Sequence, residues 1–299
     1  MSLPEAPFGR LLTAMVTPFG EDGSLDLDAA GRVASHLAAH GHDGIVVSGT
    51  TGESPTTSVA ENGALIHAVR DAVGDRCSVV AGVGSNNTAH SVELAEQAAK
   101  EGADALLLVA PYYSKPSQPG VLNHFRQVAS AVDTPVILYD VPGRTAMPIA
   151  PDTYRRAAEI ENVVAIKDAV GDFARGVRIL ADTGLALYSG DDAANLGWLA
   201  HGACGFISVV GHVAGDELAA MLTAFDEGRT ADALTTYTRL QPAMQAVMGV
   251  PNYGATTAKA ALQLVGVLGN RVVRPPLLAL DDDEVEALRV GLATAGLLH

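Results

Sequence analysis

The 299-residue sequence has little cysteine and no long apolar run, and each shortage excludes a class of protein. Its two cysteines, Cys77 and Cys204, stand far apart and outside any metal-binding spacing, which favours buried thiols in a reducing compartment over a disulfide. Apolar stretches such as 103–110 are much shorter than the roughly 20 residues that cross a bilayer. No basic segment followed by an apolar run opens the chain, so no signal peptide is expected. These features predict a soluble, cytoplasmic protein without a membrane partner.

Positive charge is also scarce. The chain has 19 Lys and Arg residues against 34 Asp and Glu residues, a formal net charge of −15. An acidic protein repels phosphate backbones, so a nucleic-acid partner is not expected. An anionic substrate would need a local cationic side chain to hold it.

Short apolar runs alternate along the chain with longer segments of helical spacing. Most of the runs are rich in Val, Ile and Leu with little polar alternation, which is typical of parallel strands buried on both faces. Eight such strands, each followed by a helix, predict an α/β fold, a closed (β/α)8 TIM barrel. An open doubly wound sheet is disfavoured because no GxGxxG turn follows the first strand. The predicted strands cover residues 11–16, 44–47, 78–82, 105–109, 135–139, 163–167, 186–188 and 205–209.

Helical spacing continues beyond the eighth predicted strand, near residues 216–226, 231–247, 256–265 and 282–294. This tail is longer than one barrel helix requires. We therefore expect a barrel over residues 1–229 and a C-terminal helical subdomain over residues 230–299 that packs against it. Earlier in the chain, four residues are predicted N-caps of helices: Asp26, Ser58, Thr88 and Asp191.

Lys167 is the most informative residue at the carboxyl ends of the predicted strands, where barrel enzymes place their chemistry. It ends the apolar run 163–166, and desolvation there lowers the pKa of an ammonium. A lysine amine that loses its proton attacks carbonyl compounds to form Schiff bases. A structural ion pair with Asp168 or Glu53 is the alternative, and the sequence leaves both open. The other lysines stand in settings typical of solvated side chains: Lys100, Lys115 and Lys259.

Tyr139 and Arg144 share a loop after the fifth predicted strand. Carbon–carbon bond formation at an enamine needs a proton relay, which a tyrosine linked to a hydroxyl such as that of Thr51 can supply. Arg144 is the local cation that could bind a carboxylate through two parallel hydrogen bonds, or it could instead support its loop through backbone carbonyls. The turn 49–53 could offer backbone N–H groups to a carboxylate at the start of the following helix.

A metal-dependent enzyme is the mechanistically different alternative. His36 and His40 are spaced four residues apart and His42 follows closely, but all three fall at the end of the first predicted helix, away from the strand ends. The acidic run 281–284 is better interpreted as a helix N-terminus. No metal site and no cofactor are expected.

Several motifs occur together in a specific order and spacing: Gly49-Thr50-Thr51-Gly52-Glu53, Pro111-Tyr112-Tyr113, Tyr139-Asp140-Val141-Pro142-Gly143-Arg144-Thr145 and Ile166-Lys167-Asp168. The set resembles the dihydrodipicolinate synthase and N-acetylneuraminate lyase superfamily. Ser189-Gly190-Asp191-Asp192 and Gly205-Phe206-Ile207-Ser208 extend the resemblance over essentially the whole chain.

The resemblance implies a role for each matching residue. Lys167 would form an imine with pyruvate, and Tyr139 would shuttle protons, linked to Thr51 and to Tyr113 of a neighbouring subunit. Arg144 would bind the carboxylate of L-aspartate 4-semialdehyde. The remaining substrate-binding positions would be Thr50, Thr51, Gly190 and Ile207. The implied product is 4-hydroxy-tetrahydrodipicolinate, on the route to lysine and diaminopimelate, and the implied assembly is a homotetramer of two tight dimers.

Arg144 also favours a synthase within the superfamily, because the resemblance associates an arginine in the Tyr-x-Val-Pro-x-Arg-Thr loop with that activity. The alternative is a related pyruvate aldolase that acts on a 2-keto-3-deoxy sugar acid or N-acetylneuraminate. A keto-acid sensor without turnover is disfavoured by the presence of both Lys167 and Tyr139.

The pattern departs from the superfamily where lysine-inhibited members bind their effector. Pro55, Val59 and Asn62 occupy the stretch where those members carry a histidine, and His90 stands where an acidic group is expected. The resemblance therefore implies weak or absent feedback by lysine.

Overall fold

A computed structural model describes residues 5–298 and arranges eight parallel strands as a closed barrel in sequence order. Hydrogen bonds between the first and last strands close the ring, with Leu12 opposite Ile207. The predicted (β/α)8 barrel is thereby confirmed. The strands are β1 Leu11–Ala14, β2 Gly44–Val47, β3 Ser78–Gly82, β4 Ala105–Val109, β5 Val136–Asp140, β6 Val163–Asp168, β7 Ala186–Ser189 and β8 Gly205–Ser208.

Helices connect the strands and continue after the last one. The four tail helices, α9 to α12, fall where helical spacing predicts them. The helices are α1 Leu27–Ala39, α2 Val59–Val73, α3 Thr88–Lys100, α4 Gln118–Ala129, α5 Pro142–Thr145, α6 Pro151–Ala157, α7 Phe173–Thr183, α8 Asn195–Ala200, α9 Gly211–Asp226, α10 Thr230–Met248, α11 Ala255–Leu264 and α12 Asp282–Thr294.

Three of the four predicted N-caps are confirmed. Asp191 caps the 3-10 turn Asp192–Ala194 by accepting from the Ala193 N–H at 3.1 Å. Asp26 accepts a hydrogen bond from the Ala29 N–H at 2.8 Å, and Ser58 forms a reciprocal capping box with Glu61. The assignment of Thr88 was wrong by one residue: the cap is Asn87, whose longer side chain accepts from the Ala89 N–H at 3.1 Å.

The apolar core has two layers, one inside the barrel and one between the strands and the surrounding helices. Both layers form because each strand carries apolar side chains on both faces. Cys77 and Cys204 are buried and unpaired, as expected. None of the helices within residues 5–298 has the length and hydropathy needed to cross a membrane.

The tail helices pack on one another and on the barrel. α10 contacts α9 and α12, and α11 contacts α9, α10 and α12. The loop between α10 and α11, residues 249–254, reaches the carboxyl ends of the strands, where Tyr253 and Gly254 line the same cavity as Lys167.

Candidate active site

Strand alternation directs neighbouring residues at the ends of β5 and β6 to opposite sides. Successive side chains of a strand point to opposite faces, so Tyr139 points into the barrel and Asp140 points out to the helices. The same rule places Lys167 inside and Asp168 outside. On the outer side, the Arg175 guanidinium of α7 forms ion pairs with both carboxylates, at 2.7 Å from Asp140 and 3.4 Å from Asp168.

Lys167 and Tyr139 lie side by side at the top of the barrel. They are paired across the β5–β6 ladder, and the Lys167 Nζ atom is 4.4 Å from the centroid of the Tyr139 ring. Both side chains are buried, with exposed fractions of 5% and 6%. The lysine amine and the tyrosine phenol are therefore adjacent and both shielded from solvent.

Asp168 and Glu53, the two carboxylates that could have formed an ion pair with Lys167, pair with other cations. Asp168 pairs with Arg175, and Glu53 pairs with Lys259. Among residues 5–298, the Lys167 ammonium takes part in no ion pair. The prediction that Lys259 is solvated was wrong: its side chain is 1% exposed, because α11 packs it against the Glu53 turn.

Burial lowers the pKa of Lys167 from 10.5 to about 8. Desolvation is the largest cause, since it disfavours the charged ammonium; the Asp192 carboxylate opposes the shift and Arg144 adds to it. At pH 7 roughly a tenth of the amine is then uncharged, several hundred times more than for an unshifted lysine. The amine is available as a nucleophile near neutral pH.

The pH dependence of imine formation tests this shift. The initial rate of borohydride trapping with pyruvate is expected to rise about tenfold per pH unit below pH 8 and then level off, because only the uncharged amine attacks the carbonyl. A solvated lysine would give a rate that keeps rising towards pH 10.5. Trapping at short fixed times from about pH 6 to about pH 10 separates the two profiles.

Burial also raises the pKa of the Tyr139 phenol to about 12, although the positive charge of Arg144 and the nearby Thr50 hydroxyl oppose the change. The phenol is therefore protonated at neutral pH, so it can donate its proton and later take one back. Within residues 5–298 the Tyr139 phenol makes no direct hydrogen bond, so the expected link to Thr51 stays a prediction. Thr51 is buried on the same cavity wall.

The turn after β2 presents backbone donors to the cavity. Within residues 5–298, the N–H groups of Thr50 and Thr51 donate no hydrogen bond. The prediction that this turn begins the following α-helix was wrong, since a 3-10 turn, Ser54–Thr56, intervenes and α2 begins only at Val59. The Thr50 and Thr51 N–H groups are free because of the local turn geometry, and they do not belong to the N-terminus of an α-helix.

A cavity of about 250 Å³ lies above Lys167 and Tyr139. Besides these two residues, it brings together four further predicted substrate-binding or catalytic positions: Thr50, Thr51, Arg144 and Gly190. Three residues of the C-terminal region line it as well, although the sequence had not pointed to them: Met248, Tyr253 and Gly254. Residues far apart in sequence thus form one site.

Gly190 follows β7 and lies directly against Lys167. A Cβ atom at this position would be 3.0 Å from Lys167 Cε and 3.0 Å from the Asp168 carbonyl oxygen, closer than ordinary packing allows. Only glycine lets the end of β7 pass beside the lysine without displacing its side chain.

Arg144 lies on the short helix α5 at the cavity wall. The alternative role, support of its loop through backbone carbonyls, is not what the structure shows: within residues 5–298 its guanidinium makes no hydrogen bond and no ion pair. Its side-chain neighbour is the ring of Tyr253, whose centroid is 4.9 Å from Cζ. The N–H groups of the guanidinium remain available to an anion.

Two predicted site residues lie outside this cavity. Ile207 is buried inside the barrel below the site, and Val209, two residues further on, lines the cavity instead. Tyr113 is 87% exposed, with a positive φ of 68°. In the isolated chain its side chain therefore points away from Lys167.

The anchors behind the reactive residues were not anticipated. Asp192 accepts hydrogen bonds from the N–H groups of Val209 and Val210, at 2.8 and 2.9 Å, and fixes the end of β8. Asp140 accepts from the Ile149 N–H at 3.1 Å in addition to its pair with Arg175. Each carboxylate follows a strand that the sequence predicts. Its partner depends on how distant segments pack together, so no local pattern in the sequence identifies that partner.

The histidines near the end of α1 bond to the protein itself. His36 contacts the His212 carbonyl at 3.0 Å, and His40 contacts the His36 carbonyl at 2.7 Å. His42 is buried, 2.8 Å from the Thr13 hydroxyl. Among residues 5–298, no cluster of three or more His, Cys, Asp or Glu side chains has the arrangement of a metal site.

The residues of the effector region surround a separate cavity of about 170 Å³. Pro55, Asn62 and His90 line it together with Tyr112. Asn62 accepts hydrogen bonds from Ser48 and Thr57, at 2.9 and 2.8 Å, so its carbonyl oxygen is occupied within the chain. Weak or absent lysine feedback stays a prediction.

Comparison with known proteins gives a consistent result over nearly the full length. The Dihydrodipicolinate synthetase family matches residues 7–295. A 4-hydroxy-tetrahydrodipicolinate synthase of Kineococcus radiotolerans is 55% identical over 294 residues, 98% of this chain and 95% of the relative.

Solved structures with the same fold include a dihydrodipicolinate synthase from Bacillus anthracis, 43% identical with a TM-score of 0.92, over 96% of this chain and 98% of that one. A chloride-inhibited dihydrodipicolinate synthase from Acinetobacter baumannii, complexed with pyruvate, is 34% identical with a TM-score of 0.92, over 97% and 99% of the two chains. The family match, the high identity and the shared fold agree with the geometry of the site. The chain belongs to the dihydrodipicolinate synthetase family.

Proposed function

We propose that this chain condenses pyruvate with L-aspartate 4-semialdehyde, through a Schiff base at Lys167, to give 4-hydroxy-tetrahydrodipicolinate for lysine and diaminopimelate biosynthesis. The observation that carries the proposal is a buried amine of lowered pKa beside a protonated tyrosine, in a cavity that also presents an unpaired arginine. The curated relative is a 4-hydroxy-tetrahydrodipicolinate synthase, which supports the choice of reaction.

The first half of the reaction uses the amine and the turn after β2. The uncharged Lys167 amine attacks the keto carbon of pyruvate, and loss of water gives a protonated imine. The free N–H groups of Thr50 and Thr51 are placed to bind the pyruvate carboxylate. The positive imine nitrogen then withdraws electrons, so that the methyl carbon loses a proton and becomes a nucleophilic enamine.

The second half joins the two substrates. The enamine carbon attacks the aldehyde carbon, and the new alkoxide takes a proton, which Tyr139 can supply and later recover. The amino group of the second substrate then replaces Lys167 at the imine carbon, which closes the ring and frees the lysine. Arg144 holds the carboxylate of this substrate through paired charge-assisted hydrogen bonds.

Two assays on the purified protein test the proposal. Consumption of pyruvate with L-aspartate 4-semialdehyde should greatly exceed any reaction with a 2-keto-3-deoxy sugar acid. Borohydride in the presence of pyruvate should leave a covalent adduct on Lys167 that mass spectrometry can locate. Turnover of the sugar acid without turnover of the semialdehyde would refute the proposed substrate but preserve the Schiff-base chemistry.

Arg144→Ala is expected to raise the KM for the semialdehyde about 10- to 100-fold, because hydrogen bonds to a charged group contribute about 1.5–3 kcal/mol. Imine formation with pyruvate should persist, since Lys167 and the turn 49–53 are unchanged. Steady-state kinetics with each substrate varied in turn, together with borohydride trapping, check both parts. Loss of the imine in this variant would contradict the assigned role of Arg144.

We further propose that Tyr113 completes the proton relay of a neighbouring subunit in a homotetramer built from two dimers. An aromatic side chain that is 87% exposed and held at a positive φ is costly in a monomer, and burial in an interface would offset that cost. Sedimentation velocity on the wild type and on Tyr113→Ala would report both the assembly state and its dependence on this residue.

A further inference from the structure

The Arg144 guanidinium lies against an aromatic ring and has no hydrogen-bond acceptor within residues 5–298. The ring is that of Tyr253, with its centroid 4.9 Å from Cζ. The ring attracts the positive charge without supplying a hydrogen-bond acceptor, so the guanidinium keeps N–H donors for another partner. Those donors bind a carboxylate in the paired geometry.

The loop that carries Tyr253 is anchored on both sides of the residue. Gly254 has a φ of +95°, a conformation that favours glycine, and its N–H donates to the Thr257 hydroxyl at 3.0 Å. The same hydroxyl lies 2.8 Å from the Val247 carbonyl oxygen, at the end of α10. Asn252 donates to the Leu278 carbonyl at 3.0 Å. The position of the ring is therefore determined by the C-terminal region and not by the barrel.

The same loop also approaches the guanidinium closely through its backbone. A Cβ atom built at Gly254 would lie 4.0 Å from an Arg144 terminal nitrogen. Without Tyr253, the arginine would have open space on this side and several rotamers to occupy. Ordering a long arginine side chain costs about 1.5–2 kcal/mol of conformational free energy. Because the ring contact already restricts Arg144 in the free enzyme, less of this cost remains when the substrate binds.

We infer that Tyr253 is a positioning residue that sets the preference for a carboxylate-bearing aldehyde, by holding the Arg144 fork towards the second-substrate half of the cavity. The inference rests on the proposed function and adds a residue from the C-terminal region to it. Tyr253 acts through Arg144 and takes no part in imine formation at Lys167. Its effect should therefore fall on the second substrate alone.

The test compares Tyr253→Leu with Tyr253→Phe. The leucine variant should raise the KM for L-aspartate 4-semialdehyde about three- to tenfold, in line with the strength of a partly exposed cation–π contact, while the KM for pyruvate and the rate of borohydride trapping stay at wild-type values. The phenylalanine variant keeps the ring face and should restore most of the wild-type KM. The advantage of the semialdehyde over propanal, an aldehyde without a carboxylate, should shrink by the same factor in the leucine variant.

A double-mutant cycle excludes a merely structural effect. Added to Arg144→Ala, the Tyr253→Leu change should have no further effect on the semialdehyde KM, because the group it positions is gone. Additive effects, or an equal rise in the pyruvate KM, would overturn the inference. Wild-type protein that traps pyruvate but does not consume the semialdehyde would instead refute the proposed function, before Tyr253 is varied.

Discussion

Lys167→Ala is expected to abolish the pyruvate adduct and to lower turnover by more than about a thousandfold. In the proposed mechanism the amine forms the covalent bond that makes the pyruvate methyl carbon nucleophilic, and no other lysine lines the cavity within residues 5–298. The change also removes a buried, unpaired charge, so the fold should be retained. Borohydride trapping with mass spectrometry and a turnover assay measure the two losses.

Lys100→Ala is the matched control, because Lys100 is the exposed last residue of α3. It should leave adduct formation and turnover unchanged. Melting temperature and sedimentation of both variants report whether the protein still folds and assembles. A pyruvate adduct that survives in Lys167→Ala, on any other residue, would refute the Schiff-base assignment.

Lys259→Met is expected to destabilise the protein by about 3–5 kcal/mol, although it keeps the length and most of the volume of the side chain. In the native protein the ammonium pairs with Glu53, donates to the Val272 carbonyl at 2.7 Å, and lies 4.2 Å from the centroid of the Phe19 ring. Methionine leaves the Glu53 carboxylate buried, with the Arg274 N–H at 2.9 Å as a remaining donor. Urea unfolding followed by fluorescence or circular dichroism measures the loss.

The double variant Lys259→Met with Glu53→Gln separates the charge from the packing. A neutral amide can still accept from the Arg274 N–H, so the double variant should recover much of the stability lost in the single one. Lys100→Met, at an exposed site, should stay within about 0.5 kcal/mol of wild type. A loss below about 1 kcal/mol in Lys259→Met would mean that the buried pair contributes little to stability.

This ion pair also links the stability of the fold to the site. Glu53 ends the turn that carries Thr50 and Thr51, with a left-handed φ of 56°. Lys259 belongs to α11, so the C-terminal region holds the turn at its buried end while Tyr253 reaches the cavity at its open end. The tail helices therefore support the chemistry as well as the fold.

The reactive pair could be predicted from sequence because its geometry follows from local rules. A lysine at the end of an apolar strand points into the barrel when the alternation of that strand requires it. Tyr139 lies near the end of β5, and β5 is the neighbour of β6 because consecutive strands are adjacent in this barrel. The burial of Lys167 was predicted correctly, whereas Lys259 was predicted to be exposed and is buried. The difference is that Lys259 sits on a helix whose burial depends on what packs against it, which helical spacing alone does not specify.

Amino-acid order by itself predicted the barrel, the approximate positions of its strands and the burial of Lys167, because strand periodicity and the run of apolar residues act within one element. Only the tertiary structure decided which carboxylate pairs with which cation, and that Tyr253 lies against Arg144. These contacts join residues separated by up to about 200 positions. Their free energy depends on distance and desolvation, which exist only after the chain has folded.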